Sequence, residues 1–123
     1  MRFLILEDNF SAAQMYKEVI CEVFDNPHVT ICDNAPAACY EYMLHLHDVL
    51  LIDEMVNGSY TGIEFLELLK SHNVPQALRR ICVSGSSSLK RYEGRLFDVY
   101  VGKNFLKLKD ALIDFKATFC SKV

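Results

Sequence analysis

His47-Asp-Val-Leu-Leu-Ile-Asp53 is the stretch on which the reading of this chain turns: four apolar residues in an unbroken row, closed by a carboxylate. A row without polar alternation belongs to a strand covered on both faces, as in a parallel sheet held between helices. Similar rows recur on either side of it, at Phe3-Leu-Ile-Leu6, Val29-Thr-Ile31, Ile81-Cys-Val83 and Val99-Tyr-Val101. The run at Val29 is the most polar and predicts an edge strand.

Amphipathic segments fill the intervals. Ala12, Met15, Tyr16, Val19, Ile20 and Val23 recur at the spacing of one helical face, and Cys39, Tyr42, Met43 and Leu46 do the same behind a candidate N-cap, Asn34. Phe65, Leu66 and Leu69 predict a third helix, and Leu108, Leu112, Phe115 and Phe119 the last. Between Ser86 and Leu96 only Leu89 and Tyr92 face a core before Arg95, which predicts a short or irregular fourth helix; Ser86-Ser-Ser88 reads as its solvated start. Strands alternating with helices in this way make an α/β domain, a doubly wound parallel sheet in a three-layer sandwich. Functional groups of such sheets gather at the carboxyl ends of the strands.

Composition narrows the class. The 123 residues suit one domain, and a net charge of -3 argues against a direct nucleic-acid binder, which needs a basic face. No apolar run approaches the ~20 residues of a membrane span, and the start carries no signal-peptide pattern, so the expectation is a soluble cytoplasmic protein. The five cysteines, Cys21, Cys32, Cys39, Cys82 and Cys120, form no C-x-x-C pair and read as small hydrophobes. His28, His45, His47 and His72 lack zinc-site spacing; His45 and His47 read as solvated side chains near a helix end.

The strand ends carry the chemistry. The first strand closes on Glu7-Asp8, the third on Asp53, the fourth on Ser84 and the fifth on Lys103; Asn9, Glu54 and Gly85 complete a polar rim. With the first and third strands adjacent, three carboxylates meet, and like charges ~4 Å apart repel by on the order of 4 kcal/mol at an effective dielectric of 20. A cation or a proton must relieve that repulsion, and an oxygen-only, hydrated site suits Mg2+. Carboxylates, Mg2+, an ammonium and a hydroxyl together suit a phosphoryl group, with one carboxylate as nucleophile forming an acyl phosphate.

In their order these residues resemble the CheY-like receiver domain of two-component response regulators, over essentially the whole chain. The resemblance rests on Leu4-Ile-Leu-Glu-Asp-Asn9, on His47 to Asp53 followed by Gly62-Ile-Glu-Phe-Leu66, on Cys82-Val-Ser-Gly85 and on Tyr100-Val-Gly-Lys103. It implies a flavodoxin-like (βα)5 fold of strand order 2-1-3-4-5, with residues 1–123 as the receiver domain and its fourth helix shortened. It implies Asp53 as phospho-acceptor, with Lys103 and Ser84 assisting and Ser84 and Tyr100 as switch residues. Mg2+ would be held by Asp8, Asp53 and the backbone carbonyl of Met55, with Glu7 reached through water. A histidine kinase or histidine phosphotransfer protein would donate the phosphate, and a downstream protein target would read the result. The chain ends at Val123 with no output segment after the last helix, so signalling by protein contact is expected; a homodimer stays open. Such a domain catalyses only its own phosphorylation and dephosphorylation and is not otherwise an enzyme.

Three departures keep a second expectation open, a degenerate receiver that binds partners without phosphorylation. Asn104 stands where the family has a proline in a cis bond; a non-proline cis bond costs about 2.5–4 kcal/mol, so trans is expected. The loop after Asp53 has no proline and is one residue longer, and the stretch from Ser84 to Lys103 is about one helical turn shorter. Enzymes on similar folds fit worse: there is no D-x-D after the first strand, no phosphate loop of the G-x-x-x-x-G-K-[ST] kind, and the acidic first loop would repel the phosphate of FMN.

Overall fold

The computed structural model describes residues 1–58 and 60–119. Five strands, β1 (Arg2–Leu6), β2 (His28–Cys32), β3 (Val49–Ile52), β4 (Arg79–Cys82) and β5 (Val99–Tyr100), form one parallel sheet in the order β2-β1-β3-β4-β5. The helices are α1 (Phe10–Val23), α2 (Ala35–His45), α3 (Gly62–Ser71) and α4 (Phe105–Phe119). The expected doubly wound sandwich and strand order are therefore observed.

Side chains alternate across the sheet into two cores. Leu4, Leu6, Leu50, Ile52 and Cys82 pack with Ala35, Ala38, Tyr42, Phe65, Leu66 and Leu69 of α2 and α3. Phe3, Ile5, Val49, Leu51, Ile81 and Val83 pack with Ala13, Tyr16, Ile20, Leu108, Leu112 and Phe115 of α1 and α4. Each fully buried Leu, Ile or Phe contributes roughly 1.5–3 kcal/mol, so burial on both faces makes the central strands the firmest part of the molecule.

The fourth helix is short and irregular as expected, whereas the buried faces of the other helices need correction. The fourth helix is a 3₁₀ helix, Ser87–Tyr92, whose Leu89 is buried while Tyr92 only partly covers the core. Too few apolar residues face the sheet to hold an α-helix there, and three-residue bonds such as Leu89 N–H to Ser86 carbonyl close the turns instead. In α2 the buried stripe is Ala35, Ala38 and Tyr42, leaving Met43 and Leu46 exposed, because the alanines let the backbone approach the sheet. Met15 of α1 and Phe119 of α4 are likewise exposed, at the margins of their faces.

The small polar residues behave as the local physics predicts. The Asn34 side chain accepts the Ala37 N–H and caps α2, and Thr61 and Glu64 form a capping box on α3. Ser86 makes no side-chain cap bond; its hydroxyl pairs with that of Ser88 at 2.8 Å on the surface. At the sheet margin, the Tyr100 N–H donates to the Glu93 carboxylate at 2.7 Å. The cysteines divide: Cys32 and Cys82 are buried, Cys39 is half-buried and Cys21 exposed, while Cys120 lies outside the described residues.

His47 corrects a further expectation. It is buried, with Nε2 3.2 Å from the Thr30 hydroxyl and Nδ1 without a hydrogen-bond partner. The ring stacks on Tyr42 and meets His45 edge-on, so the loop into β3 folds inward and only His45 stays exposed, 3.7 Å from Glu41. Burial, then the charges of His45 and Arg2, push its pKa down to about 4.

Candidate functional site

Register brings the site together. Leu6 aligns with Cys32 and Ile52, and Ile52 with Cys82, so the residues that follow emerge at one level. The ladder runs one step beyond the strands: Glu7 N–H donates to Cys32 carbonyl, Asp53 N–H to Leu6 carbonyl and Val83 N–H to Ile52 carbonyl, each at 2.9–3.0 Å. Glu7 and Asp53 are thus held by the sheet itself and are both buried, while Asp8 sits in the open beside them.

One carboxylate oxygen from each of Glu7, Asp8 and Asp53 lies within 4.8 Å of the others, a group able to hold a metal ion. Its donors are all hard oxygens, one of them from an exposed residue, which fits a hydrated divalent cation such as Mg2+ better than a thiolate- or imidazole-preferring metal. Lys103 reaches in from the loop after β5, its ammonium 2.6 Å from Glu7 Oε1 and 3.1 Å from Asp53 Oδ2. Burial and then the hydrogen-bonded neighbour Asp53 raise the Glu7 pKa to about 7, against the opposing pull of Lys103. Burial opposes the charge of Lys103 too, yet the bond to Glu7 and the surrounding negative groups carry its pKa upward. With both carboxylates ionised and one ammonium between them, this inner trio holds an unmatched negative charge, which either a proton or a cation relieves.

Ser84 is buried, its hydroxyl accepting the Ser86 N–H at 3.3 Å. Tyr100 turns back toward β4 and donates from its hydroxyl to the Ser84 carbonyl at 2.9 Å. Gly102 makes this possible: its φ is +64°, and an added Cβ would come within 3.3 Å of the Tyr100 hydroxyl. Two rim residues serve helices instead. Asn9 caps α1 by accepting the Ala12 N–H, and the Glu54 carboxylate accepts the Ile63 N–H at the start of α3. Met55 is in the loop, its side chain exposed.

The Lys103–Asn104 peptide is trans, since no cis bond occurs among the described residues. Asn104 has work of its own: its side chain accepts the Lys107 N–H at 3.0 Å and caps α4. Tyr16, read from the sequence only as a core position, also belongs to the site, with the Lys103 ammonium 5.7 Å from its ring centre and its hydroxyl directed at the Val83 carbonyl. The one sign of this in the sequence is a hydroxyl-bearing residue on an otherwise apolar helical face. Beside Glu7 and Asp8 a cavity of about 520 Å3 extends over the end of β2 between α1 and α2, and Asp33 and Glu41 make its walls acidic.

No family model matches the chain, and no curated protein matches its sequence. Solved structures do. The N-terminal domain of an uncharacterized protein from Wolinella succinogenes superposes with a TM-score of 0.79 at 21% identity, covering 100% of this chain and 98% of that one. A CheY-like response regulator receiver domain from Methylobacillus flagellatus gives 0.75 at 21% identity, covering 94% and 98%. The Mn2+-bound form of a response regulator gives 0.69 at 16% identity, covering 99% and 96%. The fold of this chain is the receiver-domain fold.

Proposed function

We propose that the protein is a phosphorylation-dependent signalling switch in which Asp53 accepts a phosphoryl group from a histidine kinase or histidine phosphotransfer protein. The observation that carries this reading is the meeting of Glu7, Asp8 and Asp53 with the Lys103 ammonium at the carboxyl ends of β1, β3 and β5. An Asp53 oxygen attacks the phosphorus of a phosphoimidazole, the P–N bond breaks, and the imidazole leaves with the bonding pair. Lys103 neutralises charge on the phosphoryl oxygens, and Ser84 is the hydroxyl donor within the same strand-end level. Asp8, Asp53 and the Met55 carbonyl, with Glu7 through water, would hold Mg2+, which supplies further charge neutralisation when bound. That a structural neighbour is a Mn2+-bound response regulator is consistent with a divalent ion in this protein.

Turning Ser84 toward the phosphoryl group would alter the carbonyl that Tyr100 holds, and so pass the change to β5 and the surface read by a downstream protein. Incubation with acetyl phosphate and Mg2+, followed by intact mass measurement, tests the reading. Wild type gains one phosphoryl group and Asp53→Asn gains none; equal gain in both, or full gain in metal-free buffer, refutes it. The alternative, a degenerate receiver acting by protein contact alone, draws on the 3₁₀ helix and Asn104. It predicts no mass gain and no beryllofluoride-induced shifts.

A further inference from the structure

The chain is electrically divided. Residues 70–95 contain six of its 13 Lys and Arg but only one of its 16 Asp and Glu, a formal charge of +5 in a molecule whose total is -3. Part of this charge converges at the opposite end of the sheet from the carboxylates. A groove of about 450 Å3 there is lined by Lys70, Asn73, Val74, Gln76, Arg80 and Arg95. They come from three places, the end of α3, the start of β4 and the stretch after the 3₁₀ helix.

Arg80 is the fixed cation of the three. Asp98 accepts its backbone N–H at 2.8 Å and its guanidinium at 3.3 Å, and the Gln76 side chain accepts a second guanidinium N–H at 3.1 Å. Lys70 and Arg95 are exposed and make no ion pair among the described residues. The carbonyls at the end of α3 do not offset them, since His72, Asn73 and Val74 N–H groups donate to Leu68, Lys70 and Leu69 carbonyls. Two unspent cations beside a third, already oriented one leave the groove with more positive charge than Asp98 matches.

We propose that this groove binds a compact oligophosphate, either free or as the phosphate end of a nucleotide. Linked phosphates place several negative charges within a few ångströms, matching convergent cations better than a single carboxylate, and Arg forks and Lys ammonium groups are their usual partners. A volume of about 450 Å3 suits a small ligand rather than a folded partner. An adjoining recess of about 290 Å3 shares Lys70 and Arg95 and is walled by Tyr92 and Leu96, room for a flat ring beside the phosphates. Glu67, also in that recess, favours a neutral ring there over a second anion. The groove shares no residue with the Asp53 site.

The test is a titration of the full chain in metal-free buffer at low ionic strength, with pyrophosphate and ADP in separate arms, followed by amide shifts. Saturating shifts at Lys70, Asn73, Gln76 and Arg95 are expected, with affinity weakened about tenfold or more in Lys70→Ala/Arg95→Ala and by added salt. The exposed Lys70→Gln variant alone, expected to weaken binding in the same direction, guards against a double variant that fails to fold. ADP tighter than pyrophosphate, with the gain lost in Tyr92→Ala, assigns a nucleotide; equal affinities assign the free oligophosphate. No saturation with either probe, unchanged binding in the variants, or shifts confined to Asp53 and Lys103 overturns the proposal while leaving the phospho-acceptor reading intact.

Discussion

Gly62 opens α3 in a place where no side chain fits. An added Cβ would overlap the Asp53 carbonyl oxygen and stand 2.7 Å from Ile52 Cγ2 and 2.8 Å from the Asp53 carbonyl carbon. Those are backbone and strand atoms, with no flexible tip to swing away. Gly62→Ala must therefore push α3 from β3 or displace the Asp53 backbone. Urea unfolding is expected to show a loss of roughly 1–3 kcal/mol, with slower acetyl-phosphate labelling of Asp53. Unchanged stability and labelling would mean that the approach of α3 to Asp53 is not rigid. From the sequence, Gly62 stands out only by its place in a motif; the overlap depends on a packing distance that no spacing encodes. Glu54 shows the same limit, since a carboxylate next to Asp53 looks like part of the acidic rim and instead caps α3.

Among elements, the strands were the most legible, because unbroken apolar rows have few other uses in a chain of this length. Helix faces were less so. The face of α2 rests on Ala35 and Ala38, whose small side chains weigh little in a hydrophobic pattern yet set how closely the helix packs. The site followed from strand ends, so Glu7, Asp8, Asp53 and Lys103 could be read, whereas Tyr16 enters it from a helix and was hidden in the core pattern. The start of α4 explains why Asn104 can replace a proline: the trans peptide needs no ring, and the side chain holds the helix. Asn104→Ala is expected to cost about 1 kcal/mol in urea unfolding and to speed amide exchange in the first turn of α4. An unchanged midpoint would show that contacts with α1 alone hold that turn.

For the whole molecule, the buried His47 links fold to pH. Its pKa is lowered from 6.5 to about 4, so the folded state resists taking a proton that the unfolded chain accepts. The stability it contributes is complete above pH 6.5 and is lost as the pH falls toward 4, a change on the order of 3 kcal/mol. The groups around it act unequally: His45, Arg2 and His28 hold the pKa down, and Glu41 pulls it up. Glu7 works in the other direction, its contribution lost as pH rises from 4.5 through about 7. The effect of His47 is thus read as a difference. Urea midpoints of wild type and His47→Gln, which keeps a donor near Thr30, are expected to diverge in slope between pH 6.5 and 4, the variant being flatter. Parallel profiles would show that the imidazole is not held neutral.

The carboxylate of Glu93 on the Tyr100 N–H also bears on how crowded molecules treat one another. A sheet margin with vacant donors invites a strand from a neighbour, the first step toward swapped dimers and fibrils. Here β5 offers two residues, and one of its N–H groups is already taken by a charged side chain from its own chain. A strand arriving at that margin must break a charge-assisted bond before it makes any of its own. Recruitment by strand addition is blocked at the place where the sheet is thinnest.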